Sequence, residues 1–102
     1  MLKIYVVDDE PMAVDYFRCL LESIPGGYTL VGSATGSMQA FSEIRRLKPD
    51  VIFADIVMPV MNGVELAERI LELYEPSIYL LTSYQDFEYA KKSVQIGVTD
   101  YL

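Results

Sequence analysis

Uninterrupted apolar runs, amphipathic stretches between them and short punctuation predict an α/β domain built on a doubly wound, five-stranded parallel sheet. Ile4-Tyr5-Val6-Val7, Val51-Ile52-Phe53-Ala54 and Ile78-Tyr79-Leu80-Leu81 are apolar without alternation, the pattern of strands buried on both faces. Phe17, Leu20, Leu21 and Ile24 recur at i, i+3, i+4, i+7, and so do Ala67, Ile70, Leu71 and Tyr74, which is the spacing of one helix face. Pro11, Gly26-Gly27, Pro49, Gly63, Pro76 and Gly97 fall between these segments, where proline opens helices and glycine closes elements.

In chain order the expected elements are strand 2–7, helix 11–24, strand 28–34, helix 36–48, strand 50–55, helix 63–75, strand 77–82, helix 86–96 and strand 98–102. This is a βα alternation in five steps without the last helix, and the flavodoxin-like strand order 2-1-3-4-5 suits it. No internal repeat, low-complexity stretch or linker interrupts it, so residues 1–102 are read as one domain, truncated before a fifth helix. Right-handed crossovers in that order place the first helix on one face and the other three on the opposite face. The first face is then under-covered, and the expectation is that another chain covers it or that it stays disordered.

Length and composition set the limits of function. A chain of 102 residues has room for one core. With 52% hydrophobic and 23% charged residues it has the balance of a globular protein rather than a disordered one. No apolar run approaches the roughly 20 residues of a membrane span, and the first residues read as a strand rather than a signal peptide, so a cytoplasmic location is expected. Cys19 has no second cysteine to pair with and lies in a helical apolar pattern, so it is expected to be a buried structural thiol. The absence of histidine removes imidazole bases and ligands and leaves carboxylate and hydroxyl chemistry. The net charge of −7 argues against direct nucleic-acid binding, which depends on Lys and Arg releasing counterions, and favours a cationic ligand.

Ligands of open parallel sheets bind beyond the carboxyl ends of the strands. The first strand ends in Asp8-Asp9-Glu10, the third in Asp55 and the fourth in Thr82-Ser83, and in the order 2-1-3-4-5 these strands are neighbours. Two unit charges about 4 Å apart repel by roughly 4 kcal/mol at an effective dielectric near 20, so converging carboxylates need a retained proton or a hard cation. An all-oxygen site suits Mg²⁺ or Mn²⁺. Mg²⁺ with one or two carboxylates and a phosphate points to phosphoryl chemistry, in which an aspartate can serve as nucleophile. Simpler roles compete: Asp8, Asp9 or Glu10 as a helix N-cap, Asp55 in an Asx-turn before Pro59, Thr82 as an ordinary strand residue. Placement of all three features at adjacent strand ends is what independent turn roles do not require.

At these residues the sequence resembles the response-regulator receiver family. The matching segments are Val6-Val7-Asp8-Asp9-Glu10-Pro11, residues 50–63 from Asp50 to Gly63, Leu80-Leu81-Thr82-Ser83-Tyr84, and Gly97-Val98-Thr99-Asp100-Tyr101-Leu102. The resemblance implies that Asp55 is the phosphoacceptor, Asp9 a direct metal ligand and Asp8 the holder of a metal-bound water, with the Val57 backbone carbonyl completing the set. It implies a switch through Thr82 and Tyr101 to the face of the fourth helix and last strand, a sensor histidine kinase as phosphoryl donor, and Mg²⁺ as the cofactor. It also implies an output region outside this chain; a homodimer is a further option. The chain departs from the family pattern in two places: Asn62 stands where receivers often have Asp, and the family's phosphoryl-pairing lysine falls after Leu102. Lys91 and Lys92, in the preceding helix, are not placed to replace it. The run Ser83-Tyr84-Gln85-Asp86-Phe87-Glu88-Tyr89-Ala90-Lys91-Lys92 resembles receivers attached to AraC-type DNA-binding regions; an ordinary amphipathic helix with Phe87, Ala90 and Val94 inward is the simpler reading.

Three other classes compete. A nonphosphorylated adaptor would keep the fold without the chemistry. A metal-dependent aspartyl phosphatase of the haloacid-dehalogenase type needs an Asp-x-Asp-x-Thr pattern that Asp8-Asp9-Glu10-Pro11-Met12 does not meet. Flavin binding would need backbone donors and neutral or basic company in the first loop, which is acidic.

Overall fold

The computed structural model describes residues 2–81, Gly97 and the backbone of 100–101. Its elements are β1 (Leu2–Val7), α1 (Pro11–Ser23), β2 (Tyr28–Ala34), α2 (Ser37–Leu47), β3 (Val51–Asp55), α3 (Gly63–Leu71), β4 (Ser77–Leu81) and β5 (Asp100–Tyr101). The strands form one sheet in the order β2-β1-β3-β4-β5, every neighbouring pair parallel. The predicted fold class and strand order are therefore those of the molecule. The expected helix over 86–96, and with it Lys91, Lys92 and Phe87, lies outside the described residues.

Strand parity divides the core. Tyr5, Val7, Ile52, Ala54, Ile78 and Leu80 project to one face, where they pack with Ala40 and Ile44 of α2 and with Leu66, Ala67 and Ile70 of α3, all buried. Ile4 and Val6 project to the other face, against Val14 of α1, with half-buried Phe17, Leu21, Val51 and Phe53 around them. The first helix thus lies opposite the second and third, as right-handed crossovers require. The α1 side is the thinner one: Phe17 packs on Phe53 with ring centroids 5.4 Å apart, Phe53 stacks on Tyr79 at 5.5 Å, and Tyr79 remains half-buried.

The inward line of α1 differs from the sequence expectation. It runs Val14, Phe17, Leu21, while Leu20 and Ile24 are about two-fifths exposed. Cys19 is exposed rather than buried, because it lies well round the helix from Val14 at about 100° per residue. α3 is shorter than its apolar spacing suggested, ending at Leu71; Tyr74 follows outside the helix and anchors its hydroxyl on the Pro49 carbonyl at 2.7 Å.

The strands are tied at both ends. At the amino end, the Lys3 amide donates to the Asp50 carboxylate (2.8 Å), the Asp50 amide to the Lys3 carbonyl (2.8 Å) and the Ser77 amide to the Asp50 carbonyl (3.0 Å). At the carboxyl end, the Asp8 amide donates to the Ala34 carbonyl (3.1 Å) and the Ile56 amide to the Leu81 carbonyl (3.2 Å). Between β1 and β2 the register shifts after Ile4, so that Leu30 pairs with Ile4 and Gly32 with Tyr5, leaving Val31 as the extra residue. Fully buried Tyr5 lies over Gly32 and donates its hydroxyl to Glu43 of α2 at 2.6 Å. A Cβ on Gly32 would meet the Tyr5 ring at 2.7 Å. Gly32→Ala is therefore expected to cost about 1–3 kcal/mol, as overpacking does, measured by urea unfolding; an unchanged midpoint would show that the ring yields.

Candidate functional site

The pairing of Val7 with Ala54 brings the residues that follow them, Asp8 and Asp55, to adjacent positions where β1 and β3 end. One carboxylate oxygen each from Asp8, Asp9 and Asp55 lie within 4.8 Å of one another. Asp8 is buried, Asp55 half-buried and Asp9 exposed, so the cluster has a floor and an open mouth.

Local turn roles account for only part of this. Asp8 Oδ1 accepts from the Glu10 amide at 3.0 Å, and Asp55 Oδ1 accepts from the Val57 amide at 3.4 Å. These Asx-type turns engage one oxygen of each carboxylate. Neither aspartate caps a helix: α1 begins with Glu10 as N-cap, its side chain making no capping bond, and Pro11 follows as expected. Burial, then the neighbouring negative charge, pushes the Asp55 carboxyl above its ordinary range. Asp8 is raised mainly by burial, with the Asp9 charge adding to it. Three carboxylate oxygens this close together, two of them on groups with raised carboxyls, fit a hard divalent cation with oxygen ligands.

The loop from β3 to α3 is tightly built. Asn62 accepts from the Glu65 amide (2.9 Å) while the Glu65 carboxylate accepts from the Asn62 amide (3.2 Å), a reciprocal capping box. Asn62 is thus the N-cap of α3. The Gly63 amide donates to the Ile56 carbonyl at 2.8 Å. A Cβ on Gly63 would collide with the Asp55 carbonyl oxygen, so only glycine lets α3 start against the strand that carries Asp55. The Met61 amide donates to the Pro59 carbonyl at 2.8 Å, closing a three-residue turn with Val60 at its apex, φ 71°. That φ belongs to the rare, strained form of the γ-turn, and a β-branched residue there is an outlier that costs of order 1–3 kcal/mol. Buried Ser37, opening α2, also donates to the Pro59 carbonyl at 3.4 Å.

The structure thus brings together Asp8, Asp9 and Asp55, with Val57 two residues beyond Asp55 on the exposed loop. Leu81 pairs with Asp55 across β3 and β4; Thr82, next in sequence, lies outside the described residues. The Tyr101 backbone pairs with Leu80, and its side chain lies outside the described set. Sequence reasoning passed over the Asn62 and Glu65 box, although the spacing of a capping residue and a Glu three positions on could have signalled it. It also missed the turn at Val60, which no propensity foretells because valine is disfavoured there.

A doubly wound parallel sheet with an acidic pocket at the carboxyl ends of its inner strands has that pocket where such sheets bind their ligands. The chain matches the response regulator receiver domain family over residues 4–102, and it belongs to that family of two-component signalling proteins. It is 35% identical over 102 residues to the transcriptional regulatory protein BtsR of Salmonella typhi, covering all of this chain and 41% of that protein. It is 33% identical over 104 residues to the uncharacterized transcriptional regulatory protein YesN of Bacillus subtilis, covering all of this chain and 28% of that protein. The REC domain of AraT, a response regulator from Geobacillus stearothermophilus, superposes with a TM-score of 0.86 at 30% identity, covering 99% of this chain and 79% of that one. The chain therefore spans about two-fifths or less of the curated relatives named here. Receiver domains are generally non-enzymatic phosphoacceptor switches that bind Mg²⁺ at an acidic pocket, and they work with sensor histidine kinases and linked output domains. Among the described residues no helix is long and apolar enough to cross a membrane.

The raised carboxyls set a pH dependence. Because the folded values of Asp8 and Asp55 lie above the ordinary 3.8, the stability they contribute is full below that value and is lost as pH rises through the raised values. Metal-free protein is expected to lose thermal stability as pH rises from about 4 towards neutrality, more steeply than Asp55→Asn. Excess Mg²⁺ should restore much of the loss. Parallel melting curves of the two proteins across this range would refute the assignment.

Proposed function

We propose that residues 1–102 form one receiver domain in which Asp55 accepts a phosphoryl group from a phosphohistidine on a sensor kinase. The convergence of Asp8, Asp9 and Asp55 at the ends of β1 and β3 carries this reading. Asp9, Asp55 and the Val57 carbonyl are the protein ligands for Mg²⁺, or Mn²⁺ in its place, and Asp8 holds a metal-bound water. The bound cation supplies charge neutralisation for the carboxylates and the incoming phosphoryl oxygens.

The half-buried Asp55 carboxylate is the nucleophile. Its free oxygen attacks phosphorus in line, an O–P bond forms, the N–P bond to the donor imidazole breaks, and the electron pair returns to the ring nitrogen. The Val57 amide donates to Asp55 Oδ1 at 3.4 Å and helps to hold the group in place. The domain assists its own phosphorylation and dephosphorylation but does not turn over a separate substrate. Thr82 and Tyr101 carry the change towards the last strand, and the output region, outside this chain, regulates transcription in the cytoplasm. The relatives named as transcriptional regulatory proteins support that assignment, and the net charge of −7 supports leaving DNA contact to the output region.

Incubation with Mg²⁺ and acetyl phosphate, followed by intact-mass measurement, is expected to add one phosphoryl group that is lost in Asp55→Asn and on chelation of the metal. Labelling that persists in Asp55→Asn and disappears in Asp8→Asn would favour the phosphatase reading instead. Asp9→Asn is expected to weaken Mg²⁺ binding by about ten-fold or more, given that even outer-shell partners are worth that much, as read by calorimetric titration. Thr82→Ala should leave labelling in place while reducing the spectral difference between phosphorylated and unphosphorylated protein; an undiminished difference would remove Thr82 from the switch.

A further inference from the structure

Among the described residues two non-glycines stand at positive φ, Lys48 and Val60, and their settings differ. Lys48 is the C-cap of α2, its amide closing on the Ile44 carbonyl, a place where left-handed backbone is common. Val60 is the apex of the γ-turn, and its side chain is 89% exposed. No packing inside the fold therefore offsets the strain of a β-branched residue at that φ. Glycine takes the same φ at no steric cost.

The turn's own bond does not account for its persistence. The Met61 amide reaches the Pro59 carbonyl at 2.8 Å, but one hydrogen bond contributes, on balance, about as much as a φ outlier of this kind costs. The Ser37 hydroxyl bond to the same carbonyl is long, at 3.4 Å. What holds the turn is the closure of the loop by the Gly63 amide on the Ile56 carbonyl (2.8 Å), together with the burial of Met58 and Met61 on either side of the apex. The turned arrangement is thus held by its surroundings against a valine that opposes it. Val57 lies inside the same closed loop, three residues before the apex. Its amide meets Asp55 Oδ1 only at 3.4 Å, so the setting of its peptide unit depends more on the turn than on Asp55.

We propose that Val60 is a positioning residue for the cation site, one that weakens Mg²⁺ binding by opposing the turn that sets the Val57 carbonyl. The inference rests on the reading of that carbonyl as a metal ligand. In the cation-free protein the loop divides between the turned arrangement and a relaxed one with Val60 at negative φ, and the turned arrangement alone offers the full set of protein ligands. The observed affinity is then the intrinsic one reduced by the turned fraction. Because the Val60 side chain stands in solvent, replacing it removes no packing from the fold, and any effect on the pocket passes through the backbone.

The test is a calorimetric Mg²⁺ titration of the unsubstituted chain, Val60→Gly, which removes the strain, Val60→Ile, which keeps it, and Asp9→Asn. Val60→Gly should bind Mg²⁺ about two- to three-fold more tightly as the turned fraction approaches one, and Val60→Ile should match the unsubstituted chain. In metal-free protein, hydrogen exchange of the Met61 amide should slow in Val60→Gly and not in Val60→Ile. Labelling by acetyl phosphate at limiting Mg²⁺ should rise in Val60→Gly and converge with the unsubstituted chain once Mg²⁺ is saturating. Equal Mg²⁺ affinity in Val60→Gly and Val60→Ile would overturn the inference by leaving the strain without consequence for the pocket. Weaker binding in Val60→Gly would overturn it as well, by showing that valine stiffens the turn rather than opposing it. Failure of the underlying reading looks different: Mg²⁺ would then bind the unsubstituted chain no better than Asp9→Asn.

Discussion

Mutual repulsion of Asp8, Asp9 and Asp55 is the constraint around which this fold is arranged. Asp8 and Asp55 are withdrawn from water and resist ionisation, first through burial and then through the negative charge beside them. Left alone, three such groups would spread apart. They are prevented from doing so by backbone ties just beside them: the Asp8 amide on Ala34, the Ile56 amide on Leu81 and the Gly63 amide on Ile56. The packed faces of β1 and β3 beneath them add to the restraint. The scaffold therefore holds charge in an unfavourable arrangement that a cation relieves, which is how a rigid fold converts packing energy into ligand affinity.

The same economy shapes the loop that follows Asp55. Gly63 permits α3 to start against the strand end, Asn62 and Glu65 satisfy its first amides, and Met58 and Met61 are buried under the turn. These contacts over-determine the backbone enough to hold Val60 where it is strained. The strand end that carries Asp55 and the strained apex at Val60 thus share one short segment and one set of backbone restraints.

Much of this was legible in the residues. The unalternating runs at 4–7, 51–54 and 78–81 gave the buried parallel strands, and their acidic ends gave the pocket, because in such a sheet the position after an inner strand is a ligand position. What escaped was whatever depends on packing rather than pattern. Leu20 and Ile24 share the i+3, i+4 spacing of inward residues, yet lie on the flank of α1, since periodicity fixes a stripe but not the width of the surface it meets. Cys19 was misplaced for the same reason. Tyr5 reads as one more apolar strand residue, and nothing local reveals that it crosses Gly32 to reach Glu43. The apolar spacing through Tyr74 overstated α3, because a residue beyond a helix end can still face the core.

The clasp at the amino end of the sheet has a reach beyond its own neighbourhood. Asp50 joins the starts of β1, β3 and β4 through its carboxylate, amide and carbonyl, about 16 Å of strand away from Asp55 at roughly 3.3 Å per residue. It acts as the zero mark of a ruler. Sliding β3 by one residue against its neighbours would turn every side chain to the opposite face and carry Asp55 out of reach of Asp8. An acidic residue remote from the pocket therefore sets the alignment on which the spacing of its three carboxylates depends.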